Sequence, residues 1–230
     1  MRKNKEVNPY YSLTLPTGSK KEPKKGTLYH KLFFDILKFD QAVRDFLEQS
    51  DYIHSGSRIL DAGCGSGLVS KILYEISKVK GLKGVTFDGF DITPAMLDRF
   101  RKWVNQNDVN NIRLQQGDIL RPEQLPEDWN NYDLVVTSAV LEHLPREEVQ
   151  MALEGLRGRL KEGGRILILI SKSNWVTKLL VQKLFKANTY TQTEIGEIVS
   201  NAGFSDVAFK KFPSQHKLLN RGILIIEATK

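Results

Sequence analysis

The chain of 230 residues holds one cysteine, Cys64. An intramolecular disulfide is thereby excluded, and so is a metal site built from several thiolates. Cys64 itself reads as a small buried filler rather than a nucleophile. Nowhere do about 18 apolar residues run together, so nothing in the sequence is expected to span a membrane. The first residues are lysine-rich without the apolar stretch of a secretory signal, which leads to the expectation of a cytoplasmic protein. No internal repeat is visible, and 40% hydrophobic residues suffice for the core of one α/β domain with appendages.

Charge is unevenly spread. The formal net charge is +7, and Met1 to Lys31 holds eight Lys or Arg against two Glu, a net of +6 that leaves the remainder near balance. Pro9, Pro16 and Pro23 argue against regular structure in the same stretch. Residues 1–26 are therefore expected to be a basic tail, which could meet nucleic acid, acidic lipid headgroups or an anionic substrate, or simply be solvated. The domain follows as residues 27–230. It begins with apolar residues at helical intervals, Leu28, Leu32, Ile36, Phe39, Val43 and Phe46, which predict a helical cap within 27–57.

The most informative stretch is Arg58 to Leu68, RILDAGCGSGL. An apolar strand meets an acid, Asp61, then the alternating glycines Gly63, Gly65 and Gly67, then an apolar-periodic helix. Glycine is needed where the backbone takes positive φ or lets a ligand approach without a Cβ in the way. The spacing departs from the dinucleotide fingerprint, because the position three after Gly65 is Leu68 and the position three after Gly67 is Ser70, where glycine or alanine is required. A carboxylate at Asp61 would also repel a pyrophosphate. It suits a cationic amine.

ILDAGCGSG resembles the cofactor loop of class I S-adenosylmethionine-dependent methyltransferases, and later motifs fall in that family's order over roughly Arg58 to Lys230. The resemblance implies a ligand with an ammonium, a sulfonium, a ribose and an adenine, held by Asp61, Gly63, Cys64, Gly65 and Gly67. The strand in VTFDGFDIT ends at Asp91 and Ile92, and Thr93 with Pro94 then forms a strong helix start. Asp91 is placed for the ribose hydroxyls, ahead of Asp88, which lies inside the strand rather than at its tip. The third strand leads to Asp118 and Ile119, matching the family's contacts to the adenine amine and ring. The fourth, in YDLVVTSAV, is almost wholly apolar or β-branched, as expected of a central parallel strand. It exits through Ser138, Ala139 and Val140, small enough to admit the reacting centre.

On the acceptor side, VLEHL resembles the corresponding segment of small-molecule enzymes, including those of quinone biosynthesis. The absence of Asn-Pro-Pro-Tyr or Asp-Pro-Pro-Tyr counts against DNA adenine. Methyl transfer is an in-line displacement at a carbon already activated, so a base is needed only if the acceptor must lose a proton. His143 is the candidate for that role, with Glu142 ranked behind it. Pro145 is expected to open the next helix, and Gly163 with Gly164 to turn the chain into a fifth strand, RILILIS. Residues 172–190 form a basic amphipathic insertion, readable as a lid over an apolar acceptor, as a foot on a membrane surface or as ordinary packing. Candidate acceptor contacts are Tyr10, Tyr11, Tyr29, Trp175 and Tyr190. Thr191 with Glu194 makes a capping box, and two closing strands follow. No cluster of ligands at the fourth strand's exit suggests a metal.

These elements predict a doubly wound, mostly parallel, seven-stranded Rossmann-like α/β sheet with helices on both faces and an antiparallel C-terminal strand. The expected activity is S-adenosylmethionine-dependent methyl transfer to oxygen, nitrogen or carbon of a small-molecule acceptor, apolar or anionic. The alternatives are an RNA or protein methyltransferase using the basic tail, and a cofactor-binding subunit without catalysis.

Overall fold

A computed structural model describes residues 38–174 and 187–230. The tail of residues 1–26, the cap up to residue 37 with Tyr29, and the insertion from Trp175 to residue 186 lie outside the described residues. Tyr10 and Tyr11 lie outside them as well.

The chain opens with α1 (Phe39–Glu48), then alternates β1 (Arg58–Ala62), α2 (Leu68–Val79), β2 (Thr86–Asp91), α3 (Pro94–Gln106) and β3 (Ile112–Gln116). It continues through β4 (Tyr132–Ser138), α4 (Val149–Arg159), β5 (Leu160–Ser171), α5 (Gln192–Asn201), β6 (Ser205–Lys210) and β7 (Ile223–Thr229). The sheet order is β3-β2-β1-β4-β5-β7-β6, with β7 antiparallel to both its neighbours and the other pairings parallel. The chain thus works outward from β1 to β3 and returns to β4 on the other side of β1. Ligands of such sheets bind in the crevice beyond the strand tips where the direction reverses, here between β1 and β4.

Two cores lie on opposite faces, and the strands feed them alternately, as a period of two requires. Leu134 and Val136 of β4 and Leu167 and Leu169 of β5 join Val43 of α1, Ile72 of α2 and Phe100 of α3. Val135 of β4 and Ile166, Ile168 and Ile170 of β5 join Leu153 of α4 and Val199 of α5. Both faces of the central strands are covered, which explains why they read as continuous apolar runs. In α1, Phe39, Ala42, Val43 and Leu47 are buried at the spacing of a single helical face. Among the described residues, no helix is long and apolar enough to cross a membrane.

Two local expectations need correction. Gly163 and Gly164 lie inside β5 rather than before it: pairing with β4 runs Tyr132 to Leu160 and resumes only at Leu134 to Arg165. Gly163 takes φ +70°, and a Cβ on Gly164 would sit 2.8 Å from the Tyr132 carbonyl, so the glycines permit an irregularity within a pairing strand rather than a turn between elements. Pro145 does not open α4. A 3-10 turn, Arg146–Glu148, intervenes and the helix begins at Val149.

Candidate cofactor and acceptor site

The glycine loop is fastened to the tip of β2. The amides of Gly63 and Cys64 both donate to the Phe90 carbonyl, at 2.8 and 2.9 Å, and Gly67 N donates to Cys64 O at 2.8 Å. Gly65 N donates to Asp91 Oδ2 at 2.8 Å. These four amides are consumed internally and do not point at a phosphate, in keeping with a phosphate-free ligand. Gly63, Gly65 and Gly67 take φ of 74, 52 and 86°, the left-handed region that favours glycine. Close approach adds to the requirement, since a Cβ would lie 2.4 Å from Val140 at Gly63 and 2.5 Å from the Phe100 ring at Gly67. At Gly65 it would meet only the flexible end of Met96, at 3.3 Å, so the space over this residue is the most open of the three.

Two carboxylates flank the loop. Asp61 is 3% exposed, and its Oδ2 accepts from Ser70 Oγ at 2.6 Å and from Ser70 N at 3.3 Å. Burial pushes the carboxyl up to about 6, against the opposing pull of the Ser70 bonds. A buried acid with no cation paired to it among the described residues would be drawn to the ionised form by an arriving ammonium. Asp91 is held from two sides, Oδ2 by Gly65 N and Oδ1 by Thr93 N at 2.8 Å. Each oxygen keeps a further lone pair for a hydroxyl donor. Thr93 caps α3 with Pro94 at its first turn, although its side chain makes no capping bond.

The remaining expected cofactor positions divide. Asp118 Oδ1 accepts from Leu120 N at 3.0 Å, which fixes the turn after β3. Ile119 is 6% exposed and packs into the core on the α4 side. Ile92 is half-buried beside Asp91, and its carbonyl accepts from Gln116 Nε2 at 3.3 Å. Cys64 is buried beneath the loop, where burial pushes its thiol well up.

The exit of β4 meets the loop directly. Ser138 is half-buried at the strand's end, and Ala139 follows at φ +55°, an uncommon conformation for a residue with a Cβ, with its amide donating to Leu169 O at 3.0 Å. Val140 packs over Gly63. The 3-10 turn Leu141–His143 then carries the half-buried His143 and the buried Glu142. Glu142 Oε1 accepts from Ser171 Oγ at 2.9 Å, while Oε2 is buried with no partner among the described residues. Burial pushes this carboxyl up to about 7.

After the insertion the chain is sewn back onto this region. Asn188 N donates to Glu142 O at 2.7 Å, Asn188 Nδ2 to Leu144 O at 2.8 Å, and Tyr190 N to Ser171 O at 3.0 Å. Tyr190 is fully buried under the Arg146 guanidinium, 4.6 Å from the ring centroid. Its side chain belongs to the core and not to an open wall of the site, so the expectation of an acceptor contact there is not met by this arrangement. Sequence reasoning did not find Ser70, the Asp91 to Gly65 clasp or the pair of Glu142 with Ser171. A serine in the first turn after the loop was the one local sign of the first. Among the described residues, no group of three or more His, Cys, Asp or Glu could hold a metal ion.

Residues 59–164 match the family described as methyltransferase domain. An uncharacterised methyltransferase of Synechocystis is 28% identical over 165 residues, covering 67% of this chain and 70% of its own. The ubiquinone biosynthesis O-methyltransferase of Coxiella burnetii is 28% identical over 136 residues, covering 59% of this chain and 48% of its own. The chain thus spans about half the length of that relative. Among solved structures, magnesium protoporphyrin IX methyltransferase from Synechocystis with bound S-adenosylhomocysteine superposes with a TM-score of 0.62 at 20% identity, covering 96% of this chain and 92% of that one. The sheet order and the loop define a Rossmann-like nucleoside-binding fold. With the family match, residues 59–164 carry a methyltransferase domain, and the chain is similar to class I S-adenosylmethionine-dependent methyltransferases.

Proposed function

We propose that the chain transfers the methyl group of S-adenosylmethionine to a hydroxyl of a small aromatic acceptor. The observation that carries this reading is the pair of acids at adjacent strand tips: Asp61, buried with no cation paired to it among the described residues, and Asp91, clasped to Gly65 with lone pairs to spare. Asp61 accepts the cofactor's ammonium and Asp91 its ribose hydroxyls, with Gly63, Gly65 and Gly67 giving the cofactor room. Ile92, Asp118 and Ser138 complete its surroundings, and Ile119 supports the adenine end from the core. The cofactor supplies a methyl carbon already activated by the sulfonium. The protein's task is then alignment and exclusion of water, which can be worth up to about 7 to 11 kcal/mol.

The hydroxyl acceptor is supported by the ubiquinone biosynthesis O-methyltransferases among the relatives. Cytoplasmic residence belongs to the same reading. Incubating the full chain with S-adenosylmethionine and a panel of catechols, hydroquinones, aromatic amines and RNA tests it by mass spectrometry of the products. Methylation of the hydroxy-aromatics is expected, and methylation of RNA alone would replace this reading with the one built on the basic tail.

A further inference from the structure

The two ends of the crevice are differently satisfied. Five buried side-chain atoms among the described residues lack a hydrogen-bond partner, and four of them, Thr137 Oγ1, Glu142 Oε2, Thr189 Oγ1 and Tyr190 Oη, belong to β4, its exit and the segment that returns after the insertion. Native proteins keep few such groups, because each forfeits its hydration without compensation. Of these, Tyr190 Oη lies in the core, whereas Glu142 Oε2 stands on the turn that leaves the β4 tip.

We propose that Glu142 is the general base that takes the proton of the acceptor hydroxyl, through Oε2; the proposal rests on the methyltransferase reading above. Three features of the geometry support it. Glu142 stands on the turn leaving β4, four residues beyond Ser138 and two beyond the Val140 that covers Gly63, at the strand-tip end of the sheet where the loop also lies. Its other oxygen is fixed by Ser171 at the end of β5, which orients the carboxyl without neutralising it. No cation is paired with it among the described residues. The groups around it are Ser171 from β5, Asn188 and Tyr190 from the returning segment, and His143 and Arg146 from its own connection, with the Arg146 guanidinium directed over Tyr190. Its carboxyl, raised by burial to about 7, is matched to taking and returning a proton near neutrality.

The step balances as written. The hydroxyl oxygen forms its bond to the methyl carbon as its proton passes to Oε2; the carbon–sulfur bond breaks, and its electron pair stays on sulfur as a neutral thioether. Glu142 leaves the step protonated and returns the proton to solvent when product departs. His143, half-buried on the adjoining position, is the competing base, and the substitution that tests the proposal is at Glu142.

The test is Glu142→Gln in the full chain, which preserves shape and the Ser171 contact. At pH 8 transfer to catechol is expected to fall by about 100-fold or more. Transfer to 4-nitrocatechol, whose hydroxyl is already ionised at that pH, is expected to fall less than about threefold, and cofactor affinity by calorimetry to be unchanged. A readout free of turnover accompanies these. A carboxyl raised in the fold from an ordinary 4.5 to about 7 stabilises the protein at low pH and loses that contribution as pH rises through this interval. The melting temperature of the variant relative to the parent should therefore climb between pH 5 and pH 8. Equal losses for both catechols, no loss for either, a flat melting difference, or a parent that binds the cofactor yet methylates neither catechol would each overturn the proposal. Failure of the parent to bind S-adenosylmethionine would instead overturn the methyltransferase reading beneath it.

Discussion

The tips of β1 and β2 and the tips of β4 and β5 form two halves of one crevice, and they are built to opposite rules. In the first half the loop amides and both Asp91 oxygens have protein partners before any ligand arrives. In the second, Glu142 Oε2 and Thr189 Oγ1 are buried without one among the described residues. A half whose loop amides and ribose-side carboxylate are already bonded is pre-organised and suits a ligand of fixed chemistry. A half with unpartnered polar groups is less stable alone and is completed by whatever binds there. The difference separates the cofactor, common to the class, from the acceptor, particular to the chain.

The largest expected effect breaks the pre-organised half. Gly65→Val places a branched side chain at φ +52° beside the Asp91 clasp, where the neighbouring Met96 end can yield. Cofactor affinity should fall by more than about 100-fold while the melting temperature drops only a few degrees, as a strained residue costing about 1 to 3 kcal/mol would give. Calorimetry and thermal melts on the same preparation decide this. Unaltered affinity would detach the loop from the cofactor.

Asp91→Asn comes next. Losing a charged acceptor is worth about 1.5 to 3 kcal/mol, so binding should weaken by roughly 10- to 150-fold with turnover at saturating cofactor much less affected. A kcat loss without a change in binding would place Asp91 outside the ribose site.

Asp61 sharpens the comparison through pH. Its carboxyl titrates near 6 in the free protein, and the ammonium of the cofactor needs the ionised form. Affinity should therefore be level above pH 6 and fall by up to about tenfold per unit below it. Asp61→Asn should bind weakly at every pH and lose this dependence.

The smallest effect lies away from both halves. Thr191 accepts from Glu194 N at 3.2 Å and Glu194 returns a bond to Thr191 N at 2.7 Å, closing the capping box of α5. Thr191→Ala should cost about 1 kcal/mol in denaturant unfolding and leave cofactor affinity unchanged.

The same division governs what could be read from the sequence. Asp61, the three glycines, Asp91 and Asp118 each stand at or just past a strand's end, so local pattern together with the family resemblance singled them out, and the doubly wound, mostly parallel sheet was legible from the alternation of elements. The capping box of Thr191 and Glu194 was legible for the same reason. Glu142 was ranked behind His143 because what distinguishes it is not local: its partner Ser171 is 29 residues away, and Asn188 and Tyr190 return from still farther along the chain to bond Glu142 and Ser171. Tyr190 misled in the same way, since an aromatic after an amphipathic insertion suggests a ligand wall, whereas β5 and the Arg146 guanidinium draw it into the core. Gly163 and Gly164 resembled a turn because strand irregularities and turns ask the same φ of glycine.

The central claim is that the first half of the crevice holds S-adenosylmethionine at the glycine loop. Its most direct test is calorimetric titration of the full chain with S-adenosylmethionine and, separately, with NAD, in the parent and in Gly65→Val. One molecule of S-adenosylmethionine bound per parent chain, no heat from NAD and no binding by the variant are expected. Binding of NAD by the parent, or of S-adenosylmethionine by the variant with parental affinity, would contradict it.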